Sequence, residues 1–179
     1  SGTGVQLTPD GGRYEGTFSA GARSKGRWIA PGGGEEYDGE WEPSTGLRAG
    51  RGVRVLRGIS TYSGHFADDA PAGPGRCEDA DGTVYEGAWA GGLRSGQGKA
   101  TFPDGSTYEG AWAADAPHGK GRATVGPPGG GGGWYEGDWV GGARHGQGRE
   151  RTAGGEVYAG GWVKGVRAGV GTAKTAAGE

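Results

Sequence analysis

The segment Ser95–Thr101, "SGQGKAT", contains the residue types from which a phosphate-cradling loop is built. That chemistry needs a glycine five residues before the one preceding the lysine, and a hydroxyl residue directly after the lysine. Leu93 and Ala100 occupy those places, so the phosphate-loop reading fails. "EDADGT", from Glu78, opens like a calcium loop but lacks the further acids and the closing glutamate that an oxygen-ligated cation requires. A turn at Asp81 and Gly82 is the better reading. Cys77 is the single cysteine, which excludes an intrachain disulfide, and it shares a repeat position with Ala100, Ala123 and Ala173, where a small packed side chain belongs. His65, His118 and His145 fall in different repeats and read as solvent-facing loop residues rather than metal ligands or general bases. No catalytic residue, metal ligand or cofactor is expected, and the chain reads as non-enzymatic.

The residues that recur with a period are aromatic. All seven tyrosines stand in one phrase, at Tyr14, Tyr37, Tyr62, Tyr85, Tyr108, Tyr135 and Tyr158, spaced by 23, 25, 23, 23, 27 and 23 residues. Two positions after each comes Gly16, Gly39, Gly64, Gly87, Gly110, Gly137 or Gly160, and two further on Phe18, Trp41, Phe66, Trp89, Trp112, Trp139 or Trp162. A Gly-x-Gly pair follows, as in Gly96 and Gly98 or Gly146 and Gly148; the first repeat keeps only Gly26, with Ser24 in the other place. Extra residues fall between motifs, as in "GPPGGGGGW" from Gly126, which is loop behaviour.

Glycine supplies 47 of the 179 residues without the every-third-residue period of collagen, and the fixed phase of the rings is unlike a disordered linker. No stretch longer than eight residues lacks glycine, so a helix of average length would carry an interior glycine at a cost of about 1 kcal/mol relative to alanine. In "YEGAW" the Tyr, Gly and Trp share one face of an extended segment, while Glu86 and Ala88 share the other. Each repeat therefore reads as strand, loop, strand, turn, with the tight turn at Asp-Gly, as at Asp10, Asp81 and Asp104 and the glycines after them. The fold expected is all-β: an elongated, single-layer, twisted antiparallel sheet of consecutive hairpins, about 70 Å long from a strand spacing of about 4.8 Å.

One register makes a check on this reading. If Trp89 faces Gly96, then Gly87 faces Gly98, Tyr85 faces Ala100 and Glu86 faces Lys99; the same rule sets Glu109 against Arg122, Glu136 against Arg149 and Glu15 against Arg27. Glycines on the aromatic face leave room for rings to lie across the backbone, and the ring row replaces a thick core.

"YEGAWAGGLRSGQGKATFPDGSTYEGAW" resembles the MORN family, the membrane occupation and recognition nexus repeats, whose pattern is Tyr-x-Gly-x-Trp followed by Gly-x-Gly. The resemblance covers essentially the whole of 1–179 in seven copies, with a half repeat at 1–9. Its departures are Phe18 and Phe66 for tryptophan, Ser63 and Ala159 for the usual acid, and Ser24 for glycine. It implies a MORN-repeat solenoid. Neither end looks capped: Gly178 stands at a turn position, and the chain reads as a segment of a longer array with open strand edges.

Two features are candidates for binding. Arg23, Arg48, Arg94, Arg144 and Arg167 form a periodic basic row, either a solvated edge or a partner- or anion-binding one. Rings left uncovered on the aromatic face would form an apolar groove for a partner helix or loop. A net charge of −2 gives no global field for nucleic acid or anionic lipid, so nucleic acid is not expected and lipid is disfavoured. The family resemblance implies a protein-interaction scaffold similar in role to radial-spoke-head and other cytoskeletal MORN proteins. The expected partners are other proteins of a cytoskeletal or ciliary complex, with edge pairing to another array as a further mode. The expected location is the cytoplasm and cytoskeleton, with the axoneme of a cilium or flagellum favoured. Two alternatives stay open: a phosphoinositide- or membrane-binding module, and a regulatory array attached to an enzyme outside these residues.

Overall fold

The computed structural model describes residues 1–175. Among them lie fifteen strands: β1 (Gly2–Leu7), β2 (Arg13–Ser19), β3 (Ala22–Ile29), β4 (Glu35–Trp41), β5 (Arg48–Leu56), β6 (Ser60–Ala67), β7 (Ala70–Asp79), β8 (Val84–Ala90), β9 (Leu93–Thr101), β10 (Thr107–Ala113), β11 (Ala116–Thr124), β12 (Trp134–Val140), β13 (Ala143–Arg151), β14 (Val157–Val163) and β15 (Val166–Lys174). They form one open sheet whose strand order is the sequence order. The expected all-β architecture of consecutive hairpins is what the chain adopts. The turn expected at Gly178 lies outside the described residues. By packing the chain divides into two compact units, Ser1–Asp81 with Ala88–Gly92, and Gly82–Gly87 with the chain from Leu93 onward.

In the first unit Tyr14, Tyr37, Trp41, Tyr62 and Phe66 form the buried cluster, and Phe18, Trp28, Cys77 and Trp89 pack against it. Rings meet edge to face, Tyr14 with Trp41 at 5.8 Å and Tyr62 with Trp89 at 5.1 Å between centroids. In the second unit Tyr85, Tyr108, Trp112, Tyr135, Trp139, Tyr158 and Trp162 are buried in the same way. Such T-shaped contacts place the positive ring edge on a negative ring face.

The tyrosines and the tryptophans of the repeat motif also find partners for their polar ends. The phenol of Tyr108 donates to the Ala111 carbonyl at 2.9 Å, and Tyr37 donates to Glu40 at 2.8 Å. The indole of Trp112 donates to the Gly98 carbonyl, and that of Trp139 to Gly121, both at 3.1 Å. Buried polar groups demand such partners. The glycines make this possible: a Cβ on Gly148 would lie 2.5 Å from Tyr135 Cε2 and Cζ, so the ring rests directly on bare backbone.

Burial pushes the phenols of Tyr37, Tyr62, Tyr108 and Tyr135 up to about 12. In the unfolded chain a phenol titrates near 10, so the folded state holds its protons more tightly. The resulting stability is fully present below pH ~10 and is lost as pH rises from there through 12. Alkaline titration is expected to show phenolate absorbance appearing in one step together with loss of the near-UV dichroism of the rings, well above the pH at which free tyrosine ionises.

The tyrosine side of the expected register holds: Glu109 faces Arg122, Gly110 faces Gly121 and Tyr108 faces Ala123, while Glu136 faces Arg149 and Glu15 faces Arg27. The tryptophan side differs. Between Gly110 and Trp112 the pairing jumps, so that Trp112 stands opposite Pro117 in its own hairpin, and Gly119 instead faces Trp139 of the following strand. Likewise Gly96 faces Trp112. The cause is a bulge of two additional residues on the second strand, in which the first glycine of Gly-x-Gly takes a left-handed conformation, φ +73° at Gly119 and +57° at Gly146. The first hairpin makes the control: with Ser24 in place of that glycine, the pairing shifts by one residue only, from Thr17↔Lys25 to Phe18↔Arg23. A serine side chain disfavours positive φ, and the wider bulge does not form.

The turns are also exchanged relative to expectation. The two-residue hairpin turns lie after the tryptophan position, at Asp68 and Asp69, Ala114 and Asp115, Gly141 and Gly142, and Lys164 and Gly165, both residues of each at positive φ. These are mirror-type turns whose twist suits the strands. The Asp-Gly segments sit in longer connections: Phe102 to Ser106 closes with Phe102 N donating to Ser106 O at 2.9 Å, and only Gly105 has positive φ. The non-glycine turns are compensated. Asp115 Oδ1 accepts from the Arg94 backbone N–H at 2.8 Å, and Asp69 Oδ1 from that of Arg48 at 2.7 Å.

Candidate interaction surfaces

On the aromatic face the five arginines of the periodic row lie over rings. Arg23 covers Tyr14 at 5.1 Å, Arg48 covers Tyr37 at 5.3 Å, Arg94 covers Trp112 at 4.8 Å, Arg144 covers Tyr135 at 5.0 Å and Arg167 covers Tyr158 at 4.6 Å. Four of them are also ion-paired: Arg48 with Glu35 at 2.6 Å, Arg94 with Asp115 at 3.2 Å, Arg144 with Glu150 at 2.5 Å, and Arg167 with Glu150 at 2.7 Å and Glu156 at 2.5 Å. Arg23 Nε donates to Gln6 at 3.0 Å. Each arginine of the row is therefore a lid over a ring, and Arg48, Arg94, Arg144 and Arg167 also have their charge paired with a carboxylate. The reason is reach: the hairpin places each guanidinium above the negative face of its own tyrosine, where cation–π attraction and carboxylate pairing act together. The apolar groove expected on this face is likewise closed, because the rings bury one another beneath the arginines. Removing one lid, as in Arg144→Ala, is expected to lower stability by about 1–2 kcal/mol. Arg144→Lys should restore only part, since an ammonium lacks the planar fork; urea unfolding of the three proteins checks the order.

The opposite face carries exposed polar side chains. In the second unit a trough has as its floor the backbone of Gly110, Gly121, Gly137, Gly148, Gly160 and Gly171, and as its walls Glu109, Lys120, Arg122, Glu136, Gln147 and Thr172 among others. The register aligns one row across the strands: Lys99, Glu109, Arg122, Glu136, Arg149, Ala159 and Thr172 stand directly opposite one another in turn. Within it Arg122 reaches Glu136 at 3.6 Å and Lys99 reaches Glu109 at 4.0 Å. A second row pairs Lys120 with Asp138 at 2.6 Å, and the ammonium holds that carboxyl below the usual range. Charge alternation stops at Ala159, leaving Arg149 with a carboxylate strand on one side only. Beside it Trp134 lies on this same face, with Arg122 at 5.1 Å and Arg149 at 5.8 Å over its ring. The first unit has a smaller counterpart lined by Lys25, Asp38, Arg51, His65 and the backbone of Gly39, Gly52 and Gly64.

Trp134 was not singled out by the repeat pattern, although its parity was visible: it directly precedes Tyr135 and so must point to the other face. Trp28 is the converse case. It faces Tyr14 and Tyr37 across the strands and joins the ring row at the position held by Ala123 and Ala173 in later repeats.

The remaining candidates find structural places. "SGQGKAT" is the extended strand β9, which offers no loop leading into a helix. Cys77 is half-buried in the tyrosine row, its Sγ 3.5 Å from Asp79 Oδ1; burial first, then that carboxylate, pushes the thiol up to about 11. His65 Nε2 accepts from Arg51 at 3.2 Å. Among the described residues no group of three His, Cys, Asp or Glu side chains is placed to hold a metal ion, and no helix is long and apolar enough to cross a membrane.

The MORN repeat family model matches residues 62–84, 85–107, 108–124, 135–157 and 158–178, more than half of the chain. No curated protein matches it. Among solved structures, the wild-type TCP10 domain of Danio rerio CPAP, in complex with a peptide of Danio rerio STIL, is similar over 89% of this chain and 84% of that chain, at 14% identity and a TM-score of 0.38. A likeness of that degree says nothing of what this chain binds.

Proposed function

This chain belongs to the MORN repeat family, whose repeats are generally protein- or membrane-interaction modules, and on that premise we propose that it is a non-catalytic protein-interaction scaffold. The observation that supports this reading is the polar trough of the second unit. Its strands from β9 to β14 are interior, so their backbone hydrogen bonds are already made, and there the trough offers a partner only side chains on a floor held still by the ring row beneath. Strand spacing makes the face about 29 Å across from β9 to β15, enough for a short helix or an extended segment. Arg122 and Arg149 beside Trp134 suit an acidic partner segment carrying an aromatic or aliphatic anchor. Membership in a cytoskeletal or axonemal assembly is the finer part of the proposal, and the family resemblance is its support. Membrane binding is the weaker reading, because the arginines that would serve it are committed to rings and carboxylates.

The test compares the chain with its Arg122→Glu, Arg149→Glu double variant as bait on a detergent-extracted cytoskeletal fraction, alongside flotation with anionic phosphoinositide vesicles. Partners retained by the parent and lost by the variant, with an unchanged melting temperature and no flotation, are the expected result. Flotation that depends on Arg94, Arg144 and Arg167 would replace this reading with the membrane one.

A further inference from the structure

On the trough face, the register sets the same two positions of each Gly-x-Gly strand against the same two positions of the strand that follows. On β9, Lys99 and Thr101 face Glu109 and Thr107; on β11, Arg122 and Thr124 face Glu136 and Trp134. Each cation there meets an acid, Lys99 at 4.0 Å and Arg122 at 3.6 Å. β13 departs from this rule. Its two positions are Arg149 and Arg151, both cationic, and the strand that follows sets Ala159 and Val157 against them. The strand before offers Glu136, whose carboxylate is engaged by Arg122, and Trp134. Glu150, between the two arginines in sequence, turns to the other face and is held there by Arg144 and Arg167. Among the described residues no carboxylate lies within ion-pairing distance of Arg149 or Arg151.

Alternate residues of a strand stand about 6.7 Å apart on one face, so the two guanidiniums repel unless an anion joins them. The surroundings favour such an anion. Ala159 is exposed and small, which leaves open space beside Arg149. The Trp134 ring lies 5.8 Å from the Arg149 guanidinium and 5.1 Å from that of Arg122, and this contact restricts the Arg149 side chain before any ligand arrives. A carboxylate is fully occupied by one guanidinium fork. A phosphate monoester, with about −1.5 to −2 charge and three acceptor oxygens, takes hydrogen bonds from both.

We propose that Arg149 and Arg151 bind the phosphate group of a phosphorylated serine or threonine in an extended partner segment, above Ala159 and Val157, while Trp134 receives an apolar side chain of that segment. This deepens the function proposed for the trough and rests on it: the partner docks when it is phosphorylated and leaves when the phosphate is removed. Charge argues against the same phosphate on a lipid surface. Glu109 and Glu136 stand in the same row with side chains 71% and 62% exposed, and a flat sheet of anionic headgroups would have to meet both. A phosphate carried on a peptide touches only β13 and β14. Both strands have a described neighbour on each side, so the site lies within the sheet rather than at its edge.

The probe is a labelled peptide pool with a fixed central phosphoserine and mixed residues on either side, compared with pools carrying serine or glutamate at that place, each passed over the immobilised 179-residue protein. The expected result is retention of the phosphorylated pool at least about tenfold above the serine pool and several-fold above the glutamate pool. Arg149→Gln, Arg151→Gln is expected to abolish that preference. Ala159→Glu should do the same while keeping both arginines, because it restores the acid that Glu109 and Glu136 supply in earlier repeats. Unchanged melting temperatures show that neither loss is one of folding. Trp134→Ala should lower retention of all pools and keep the preference. Retention of no pool, a glutamate pool held as well as the phosphorylated one, or a preference that survives either arginine or alanine variant would overturn the proposal. So would flotation with phosphoinositide vesicles that Arg149→Gln, Arg151→Gln prevents, which would make the occupant a membrane. Equal retention of all three pools, removed by Arg122→Glu, Arg149→Glu, would strike the phosphate site and leave the trough a peptide-binding face.

Discussion

Gly148→Val is expected to leave the second unit largely unfolded, with a stability loss of about 3 kcal/mol or more, read as a collapse of the urea midpoint and of near-UV dichroism. The new Cβ would fall 2.5 Å from Tyr135 Cε2 and Cζ, and that ring is fully buried between Trp139 and Trp162. A flexible side chain would yield, but a tyrosine held edge-on by two rings and bonded through its hydroxyl to Asp138 O at 3.0 Å has nowhere to go. Gly154→Ala is the control: there the nearest atom to an added Cβ is Thr152 Oγ1 at 3.8 Å, and φ lies outside the left-handed range. Its effect should be within about 0.5 kcal/mol. Equal melting temperatures for Gly148→Val and Gly154→Ala would mean that the glycines are not seats for the rings.

Trp112→Ala is expected to cost about 3–5 kcal/mol, the range for emptying an aromatic site in a core that cannot close over it. Trp112 touches Tyr85 and Tyr108 edge to face at 5.1 Å each, so its loss uncovers both tyrosines and the Gly98 carbonyl. Trp112→Phe separates the contributions. It keeps the ring row and loses the indole bond, for about 1 kcal/mol, in line with Phe66, which is buried between Tyr37 and Tyr62 at the same repeat position. An alanine variant as stable as the phenylalanine variant would show that the rings contribute little beyond filling space.

The same two variants bear on function. A trough whose floor is backbone can keep its wall charges in register only while the rings on the other side hold the strands flat against one another. Trp112→Ala is therefore expected to weaken any partner that depends on Arg122, although Trp112 lies on the face away from it.

Much of this was legible in the residues. Alternation in Tyr-x-Gly-x-Trp fixes which side chains share a face, since a strand has period two, and density of glycine removes the helical alternative. From these follow the hairpins, the ring row and the pairings Glu109 with Arg122 and Glu136 with Arg149, because one residue of slip would turn every ring to the wrong side. The tertiary structure alone decided three further matters. Which tryptophan faces which glycine depends on the left-handed bulge at Gly119 and Gly146. Glycine permits that conformation without requiring it, and the indole of the neighbouring repeat is what fills the space it opens. Where the arginines point depends on the rings above which their strands end, so an even row of charges in the sequence became lids on the core. Which face remains open to a partner followed from both: strand parity sorts side chains into two sets, but only packing between repeats determines which set is used up in holding the sheet together.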